Sequence, residues 1–250
     1  MTIRIYQPDL IAGKTKTRWL LVHEADISFK SIEELCEIFG THTTDPRRGI
    51  FRGHPLNTGD IVEVEKEDKT TDFYKFTSNE WTDGVLDPIQ VDNPADMQTY
   101  PWNPDAVTGV LVSPGERARI ARINLNDQKV MKQLFGQIHQ VVQLPTGECI
   151  ICNDIAFQNN ANYRDIPDIN RMLKLPGGEV FAAVSRSIFF CNVFPTANGD
   201  VISSLTEDDC KDLIRRYDLP ERFYTFNGKL MSVTYYPNLE DNAVGKEAAK

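Results

Sequence analysis

Apolar and polar residues alternate along several short stretches of this chain, and such alternation predicts β-strands. From Gly59 to Glu65 apolar and acidic residues alternate, as they do in a half-exposed strand. The segment 72–76 is predicted to be its partner, and the charged residues 66–71 form the turn between them. The same reasoning predicts strands at 1–6, 108–112, 119–123, 138–144, 148–152 and 181–194.

Helix signals lie between these strands. Ser31 and Glu34 have the spacing of a capping box, and Gly40 is placed to end that helix in the left-handed conformation. Further helices are predicted at 127–135 and 206–217, the latter with a possible capping box of Ser204 and Glu207. Because strands and helices intermingle without strict β-α-β alternation, the pattern predicts an α+β fold of two small mixed domains, each an antiparallel sheet with packed helices.

A proline-rich segment divides the chain. Residues 86–105 contain four prolines and little periodicity, and proline removes a backbone donor. The sequence therefore predicts an α+β domain at 1–86, a linker at 87–105, a second α+β domain at 106–237 and a polar tail at 238–250.

Composition narrows the class of protein. No apolar run approaches the eighteen or so residues that span a bilayer, and no secretion signal is recognisable at the start. Five scattered cysteines argue against a disulfide framework, so we expect a cytoplasmic protein. Cys149 and Cys152 have C-x-x-C spacing, but no second ligand pair accompanies them, and they are interpreted as core residues. No metal, cofactor or membrane contact is predicted, and no oligomeric state is assigned.

Charge is unevenly distributed. The formal net charge is −9, and the segment from Asp60 to Asp96 holds 11 acidic residues against 3 basic ones. Such a region repels phosphate and attracts basic surfaces, so direct nucleic-acid binding is not expected. An ordinary solvated face remains the alternative. The predicted acidic binding residues are Asp60, Glu63, Glu65, Glu67, Asp72, Asp83 and Asp87.

Cationic residues provide a second candidate site. Arginine and histidine side chains can hold phosphate or carboxylate, and one basic group surrounds His54. The alternative for the group around His54 is an ordinary solvated loop. The alternative for Arg171 is a structural ion pair, for instance with Asp154 or Asp168. A catalytic pair among His42, Asp45 and His54 is a third possibility. The candidate anion-binding residues are Arg47, Arg48, Arg52, His54, Asn170, Arg171 and Arg186.

Short motifs in the second half suggest a relationship. The matching features are Pro114-Gly115, Leu134–Val141, Cys152-Asn153-Asp154, Pro167–Arg171, Ser204–Glu207 and Tyr217–Phe223. In this order they resemble the phage and plasmid family known as domain of unknown function 3846, over about residues 107–223. One departure is Gln137, which follows Gly136 where the family often has a second glycine.

The first half resembles the YodL-like module of Firmicute mobile elements. The resemblance is carried by Phe51–Val62, by the aromatic strand Phe73–Phe76 and by Trp81. Together the resemblances imply a protein of a phage or mobile element, and neither brings a catalytic residue. Three functions follow as hypotheses: a non-catalytic protein that binds a host factor through its acidic residues, a protein that sequesters a small nucleotide, or an unrecognised hydrolase.

Overall fold

The fold is described from a computed structural model. It describes residues 1–11, 18–41, 43–78, 86–91, 99–100, 103, 105–145, 147–153, 169–175, 180–196, 199–227 and 229–237. Strands predominate and three helices accompany them over these residues, which confirms the predicted α+β class. The chain forms two compact units: Met1–Thr108 with Asn192–Thr206, and Gly109–Cys191 with Glu207–Lys250.

The first unit contains a six-stranded sheet and a short helix, α1 (Glu34–Ile38). The strands lie in the order β5-β4-β3-β1-β2-β6, and every pairing is antiparallel except that of β2 with β6. Side chains of α1 and the following loops pack on one face of the sheet. The strands are β1 (Thr2–Pro8), β2 (Trp19–Asp26), β3 (Ile61–Glu65), β4 (Thr71–Ser78), β5 (Leu86–Gln90) and β6 (Thr99–Tyr100).

The remaining elements include a second sheet with the order β8-β7-β13-β10-β9, in which β14 also pairs with β13. Strands β11 and β12 form one separate hairpin, and β15 and β16 form another. The elements are β7 (Ala106–Val112), β8 (Arg119–Asn124), α2 (Gln128–Phe135), β9 (His139–Gln143), β10 (Cys149–Asn153), β11 (Ile169–Lys174), β12 (Val180–Ser185), β13 (Ile188–Thr196), β14 (Gly199–Ser203), α3 (Glu207–Tyr217), β15 (Glu221–Phe226) and β16 (Lys229–Thr234).

The segment predicted as a linker is partly regular. Strand β5 pairs with β4 and β6 pairs with β2, although β5 contains Pro88. Strand β5 lies at the edge of its sheet, and an edge position tolerates a residue without an N–H donor. Proline content therefore indicated a linker where the chain forms edge strands.

The unit boundary also differs from the predicted one, because residues 192–206 belong to the first unit. Strand β14 pairs with residues 192–196 of β13. The hydroxyl of Ser204 donates to the Arg52 carbonyl at 2.7 Å and accepts from the Thr108 amide at 3.0 Å. This hydroxyl thus joins two backbone segments of the first unit rather than capping α3, as the predicted box required.

Two local predictions are corrected by backbone geometry. Helix α1 begins at Glu34 rather than Ser31, and Gly40 is not among the residues with positive φ. A Cβ on Gly40 would lie 2.5 Å from the Cys36 carbonyl oxygen, so close approach explains this glycine. The predicted strand 181–194 is two strands, because Arg186 between them adopts a left-handed φ of 56°.

Candidate functional site

One face of the first sheet carries most of its strand charges. In the register of β1, Arg4 lies opposite Glu24 on β2 and opposite Glu63 on β3. Directly paired residues of antiparallel strands point to the same side of a sheet. The side opposite the core therefore carries five carboxylates and two cations on the described strands. We call it the acidic face: Glu24, Asp26, Glu63, Glu65, Asp87, Arg4 and Lys75.

Arg4 is the centre of this face. Its Nε lies 2.7 Å from Glu24, its Nη1 lies 2.7 Å from Glu63 and its Nη2 lies 3.2 Å from Glu65. One guanidinium thus binds three carboxylates, and the hydrogen bond with Glu24 is the main reason why the pKa of Arg4 is raised. Two more donors complete the network: Tyr6 Oη lies 2.6 Å from Glu63, and Lys69 Nζ lies 2.7 Å from Glu65.

The network leaves a negative surface. The seven side chains of the acidic face carry five negative and two positive charges, a net charge of −3. Glu24, Asp26 and Asp87 are exposed, whereas Glu63 and Glu65 are held beneath them by Arg4. The face consequently presents its charge mainly through Glu24 and Asp26 on β2 and Asp87 on β5.

The predicted acidic set is only partly gathered here. Glu63, Glu65 and Asp87 belong to the face, and Glu67 is exposed in the turn after β3. Asp72 lies opposite the core residue Val64, on the other side of the sheet, and binds Lys66 at 2.7 Å. Asp83 lies outside the described residues.

Asp60 is a correction to that set, since it is fully buried. Its Oδ2 accepts from Gln7 Nε2 and from the Asn57 amide, each at 3.0 Å, and lies 3.7 Å from His54 Nδ1. Among the described residues its Oδ1 has no hydrogen-bond partner. Burial raises the pKa of Asp60 to about 6, against the opposing effects of His54 and of the two hydrogen bonds.

Gln7 ties this buried group to the sheet. Its Oε1 accepts from the His54 amide at 3.0 Å, and its Nε2 donates to the His54 carbonyl at 2.7 Å. His54 Nδ1 lies 2.7 Å from the Pro55 carbonyl oxygen. Gly53 has no space for a side chain, because a Cβ there would lie 2.6 Å from Gln7 Oε1. We call Gln7, His54 and Asp60 the buried triad; it holds the loop 53–60 against β1.

The predicted catalytic group is not assembled in the described residues. Asp45 accepts from Arg47 Nη2 at 2.6 Å, and His54 lies beside Asp60 rather than beside Asp45. His42 lies outside the described residues. The buried triad offers no nucleophile, so its hydrogen bonds support a structural role.

The three arginines near this loop already have partners within the protein and are not available to bind an anion. Arg47 binds both Glu34 and Asp45. Arg48 is buried between the rings of Phe51 and Phe194, and burial lowers its pKa to about 10. Arg52 is half-buried, and donates to the Ile202 carbonyl at 2.9 Å.

His23 is a buried polar residue that the sequence reasoning did not single out. Its ring packs edge-on against Phe39 and Phe51. Burial, and then the positive charge of Arg48, lower its pKa to about 4. It is therefore a neutral core residue at physiological pH.

In the second unit the three predicted polar residues, Asn170, Arg171 and Arg186, are linked by hydrogen bonds, and we call this group the relay. Arg171 is 1% exposed, and its Nη1 donates to Asn170 Oδ1 at 2.8 Å. The amide group of Asn170 donates to the Arg186 carbonyl at 2.6 Å. Arg171 Nη2 donates to the Glu116 carbonyl at 2.9 Å, so its role is structural, whereas Arg186 is exposed. The relay holds Arg186 in its left-handed conformation.

Among the described residues no cysteine forms a disulfide, and the side chains of Cys149 and Cys152 are buried in β10, as the core interpretation expected. Within the described residues no group of His, Cys, Asp and Glu is arranged to hold a metal ion. The same part of the chain contains no helix with the length and apolarity required to cross a bilayer.

Comparisons of the chain with protein-family models, with curated proteins and with solved structures found no match. The resemblance to the two mobile-element families therefore stays a prediction.

Proposed function

We propose that this chain is a non-catalytic binding protein of a phage or mobile element, which acts in the bacterial cytoplasm by binding a basic surface of a host protein. The observation that carries the proposal is the acidic face, with its net charge of −3 on the side of the first sheet opposite its core. Carboxylates arranged in this way complement a basic surface and increase its association rate.

Two features of the face favour binding over a purely structural role. Arg4 fixes the inner carboxylates in one geometry, so the face is ordered before a partner arrives. Asp26 and Asp87 are exposed, and neither forms a direct ion pair with a described residue. A partner that binds here replaces water at these outer carboxylates without dismantling the Arg4 network.

The proposal is tested by charge reversal on the face. In a pull-down from host lysate, Asp26→Lys/Asp87→Lys is expected to lose the partners retained by the wild type, because both substitutions invert outward charges. This variant has a net charge of −5, since each substitution adds two charges to −9. Raising the salt concentration is expected to release the same partners from the wild-type protein.

A matched control separates the face from net charge. Asp208→Lys/Asp212→Lys makes the same change of charge on α3, where both side chains are largely exposed. The control is expected to retain the partners. Equal losses in both variants, or a wild-type protein that retains nothing at low salt, would contradict the proposal.

Sequestration of a small nucleotide is the second candidate, and Arg186 favours it. Of the arginines predicted to bind an anion, Arg186 alone is exposed without an ion pair to a described residue. Nucleotide binding is expected to raise the melting temperature of the wild-type protein, and Arg186→Ala is expected to abolish that increase. The absence of an increase across a nucleotide panel would reject this candidate.

A further inference from the structure

Two cysteines of the second sheet lie side by side on neighbouring strands. In the register of β10 and β13, Cys149 is directly opposite Cys191, so both side chains point to the same side of the sheet. Cys149 is 5% exposed and Cys191 is fully buried. Burial, and then the neighbouring Cys149, raise the pKa of the Cys191 thiol, and the second effect acts only over a short distance.

The backbone spacing of this pair suits a disulfide, whereas the side-chain spacing strains it. Directly opposite residues of antiparallel strands have Cα atoms about 4.5 to 5.5 Å apart, within the range of about 4.4 to 6.8 Å that disulfides span. Their Cβ atoms lie about 4.5 to 5.5 Å apart, but a disulfide brings Cβ atoms to about 3.5 to 4.5 Å. The two strands therefore have to approach each other by about 1 Å, and a strained disulfide is easily reduced.

The other cysteines of the chain lie elsewhere. Cys152 follows three residues later on β10, so it points to the opposite side of the sheet from the pair. Cys210 belongs to the buried stripe of α3, and this stripe also contains Tyr217, whose ring stacks on Phe190. Phe190 points away from the side that holds the pair, because neighbouring residues of a strand alternate. Cys36 lies on α1 of the first unit.

We propose that Cys149 and Cys191 form a reversible disulfide under oxidising conditions, with a low-molecular-weight disulfide such as glutathione disulfide as the oxidant. The Cys149 thiolate attacks one sulfur of that molecule, and one glutathione leaves. The Cys191 thiol then loses its proton and attacks the Cys149 sulfur of the mixed disulfide, and the second glutathione leaves. Overall the two cysteine thiols lose two electrons and two protons, and one glutathione disulfide becomes two glutathione molecules.

Cys149 is placed to react first. It begins β10, directly after a turn in which the Gly147 amide donates to the Leu144 carbonyl at 2.9 Å. A strand end beside a turn opens by local fluctuation more readily than the centre of a sheet. Cys191 lies within β13, and its raised pKa keeps the thiol protonated, so its reaction with dissolved oxidant is slow. It reacts instead with the mixed disulfide that Cys149 holds beside it.

The disulfide would close a loop that contains the relay, because Asn170, Arg171 and Arg186 all lie between the two cysteines in the sequence. A loop of about 40 residues restricts the unfolded chain, and this favours the folded state to the extent that strain does not oppose it. Both cysteines belong to the second unit, whereas the acidic face belongs to the first. The disulfide and the proposed binding function are therefore independent, and either can fail without the other.

Peptide mapping after oxidation tests the proposal. The full wild-type chain is incubated with glutathione disulfide in native buffer, the remaining thiols are alkylated, and the proteolytic peptides are analysed by mass spectrometry without reduction. The expected product is the pair of peptides joined through Cys149 and Cys191, and an excess of reduced glutathione is expected to separate them again. Absence of this pair, equal amounts of pairs with other cysteines, or a bond that glutathione does not reduce would overturn the proposal.

Two variants of β10 provide a matched comparison, because Cys149→Ala and Cys152→Ala each remove one buried thiol from the same strand. Cys152→Ala is expected to keep the cross-link, and Cys149→Ala is expected to leave Cys191 without one. If Cys149→Ala does not fold, the map of the wild-type chain decides alone.

Oxidation of the wild type in urea separates the folded geometry from random pairing. In the unfolded chain the cross-links should spread over all five cysteines, since no register selects one pair. A bond between Cys149 and Cys191 that forms in urea but not in native buffer would overturn the proposal.

Discussion

Asp60 and Glu63 lie three residues apart in one acidic run, yet their surroundings differ completely. Glu63 points to the acidic face, where Arg4 and Tyr6 bind its two oxygens. Asp60 points into the protein, where Gln7 and the Asn57 amide bind one oxygen and the other has no described partner. Both groups are attached to β1, through Arg4 and Gln7 respectively.

The difference shows what exposure does to a carboxylate. On the acidic face, cations and water stabilise the charged form, and such a group contributes to the surface potential. In the buried triad, desolvation dominates and the proton is retained to higher pH. A carboxylate therefore works as a surface charge in one position and as a titrating core group in the other.

The largest expected effect is on the pH dependence of stability, and it involves both Asp60 and His23. The pKa of Asp60 is about 6 in the folded state, above its ordinary value of 3.8, so its contribution is present below pH 3.8 and is lost as the pH rises to 6. The pKa of His23 is about 4, below its ordinary 6.5, so its contribution is present above pH 6.5 and is lost as the pH falls to 4. Each pKa difference corresponds to about 3 kcal/mol in the free energy of unfolding. Because the two contributions change in opposite directions between pH 4 and pH 6.5, they nearly cancel.

Two substitutions are expected to separate these contributions. Relative to the wild type, Asp60→Asn should lose stability on going from pH 6.5 to pH 4, because only His23 then titrates. His23→Leu should gain stability over the same interval. Urea unfolding across this pH range measures both, and parallel profiles for all three proteins would contradict the assigned pKa values.

The next effect is on the acidic face itself. Arg4→Met leaves Glu24, Glu63 and Glu65 without their shared cation, and should lower the free energy of unfolding by about 2 kcal/mol, given that the pairs are partly exposed. Arg4→Lys keeps the charge but not the forked donors, and should lose about half as much. Urea unfolding measures both. If Arg4→Met lowers the free energy of unfolding by less than Arg4→Lys does, the network does not hold the face together.

The sequence predicts most elements of this fold because alternation and caps are local signals. Strands β3 and β4 lie where the pattern predicts them, and α2 matches the predicted helix 127–135 except that Asp127 caps it from outside. Strand β5 is missed because only its edge position permits Pro88. The break before β13 is missed because Asn170 holds Arg186 in a left-handed conformation from a distant strand.

The site is predictable only where the signal is equally local. Glu63 and Glu65 follow from alternation in β3. Strand β2, with Glu24 and Asp26, is missed, although L-V-H-E-A-D carries a similar alternation, because these acids lie far from the dense acidic run. The burial of Asp60 has no such signal. It depends on Gln7, 53 residues earlier, whose side chain reaches the carboxylate only in the folded chain.

A smaller effect is expected for the hydroxyl of Tyr6. Tyr6→Phe removes the hydrogen bond to Glu63 on the better buried side of the network and should lower the free energy of unfolding by about 1 kcal/mol. In an Arg4→Met background the loss should be larger, because Tyr6 is then the remaining side-chain donor to Glu63. A double-mutant cycle in urea measures this coupling. Strict additivity would show that the two donors act independently.

The smallest effect is expected where the network reaches solvent. Lys69 binds Glu65 at 2.7 Å, but its side chain is 80% exposed, so water screens the pair. Lys69→Met should change the free energy of unfolding by much less than Arg4→Met does, even though it removes the same kind of contact. The two variants each remove one positive charge from the neighbourhood of Glu65, and so they differ in burial rather than in net charge. If both variants lose the same free energy of unfolding in urea, net charge rather than burial determines the stability of the acidic face. The difference between this face and the buried triad would then depend on the number of charges and not on their exposure.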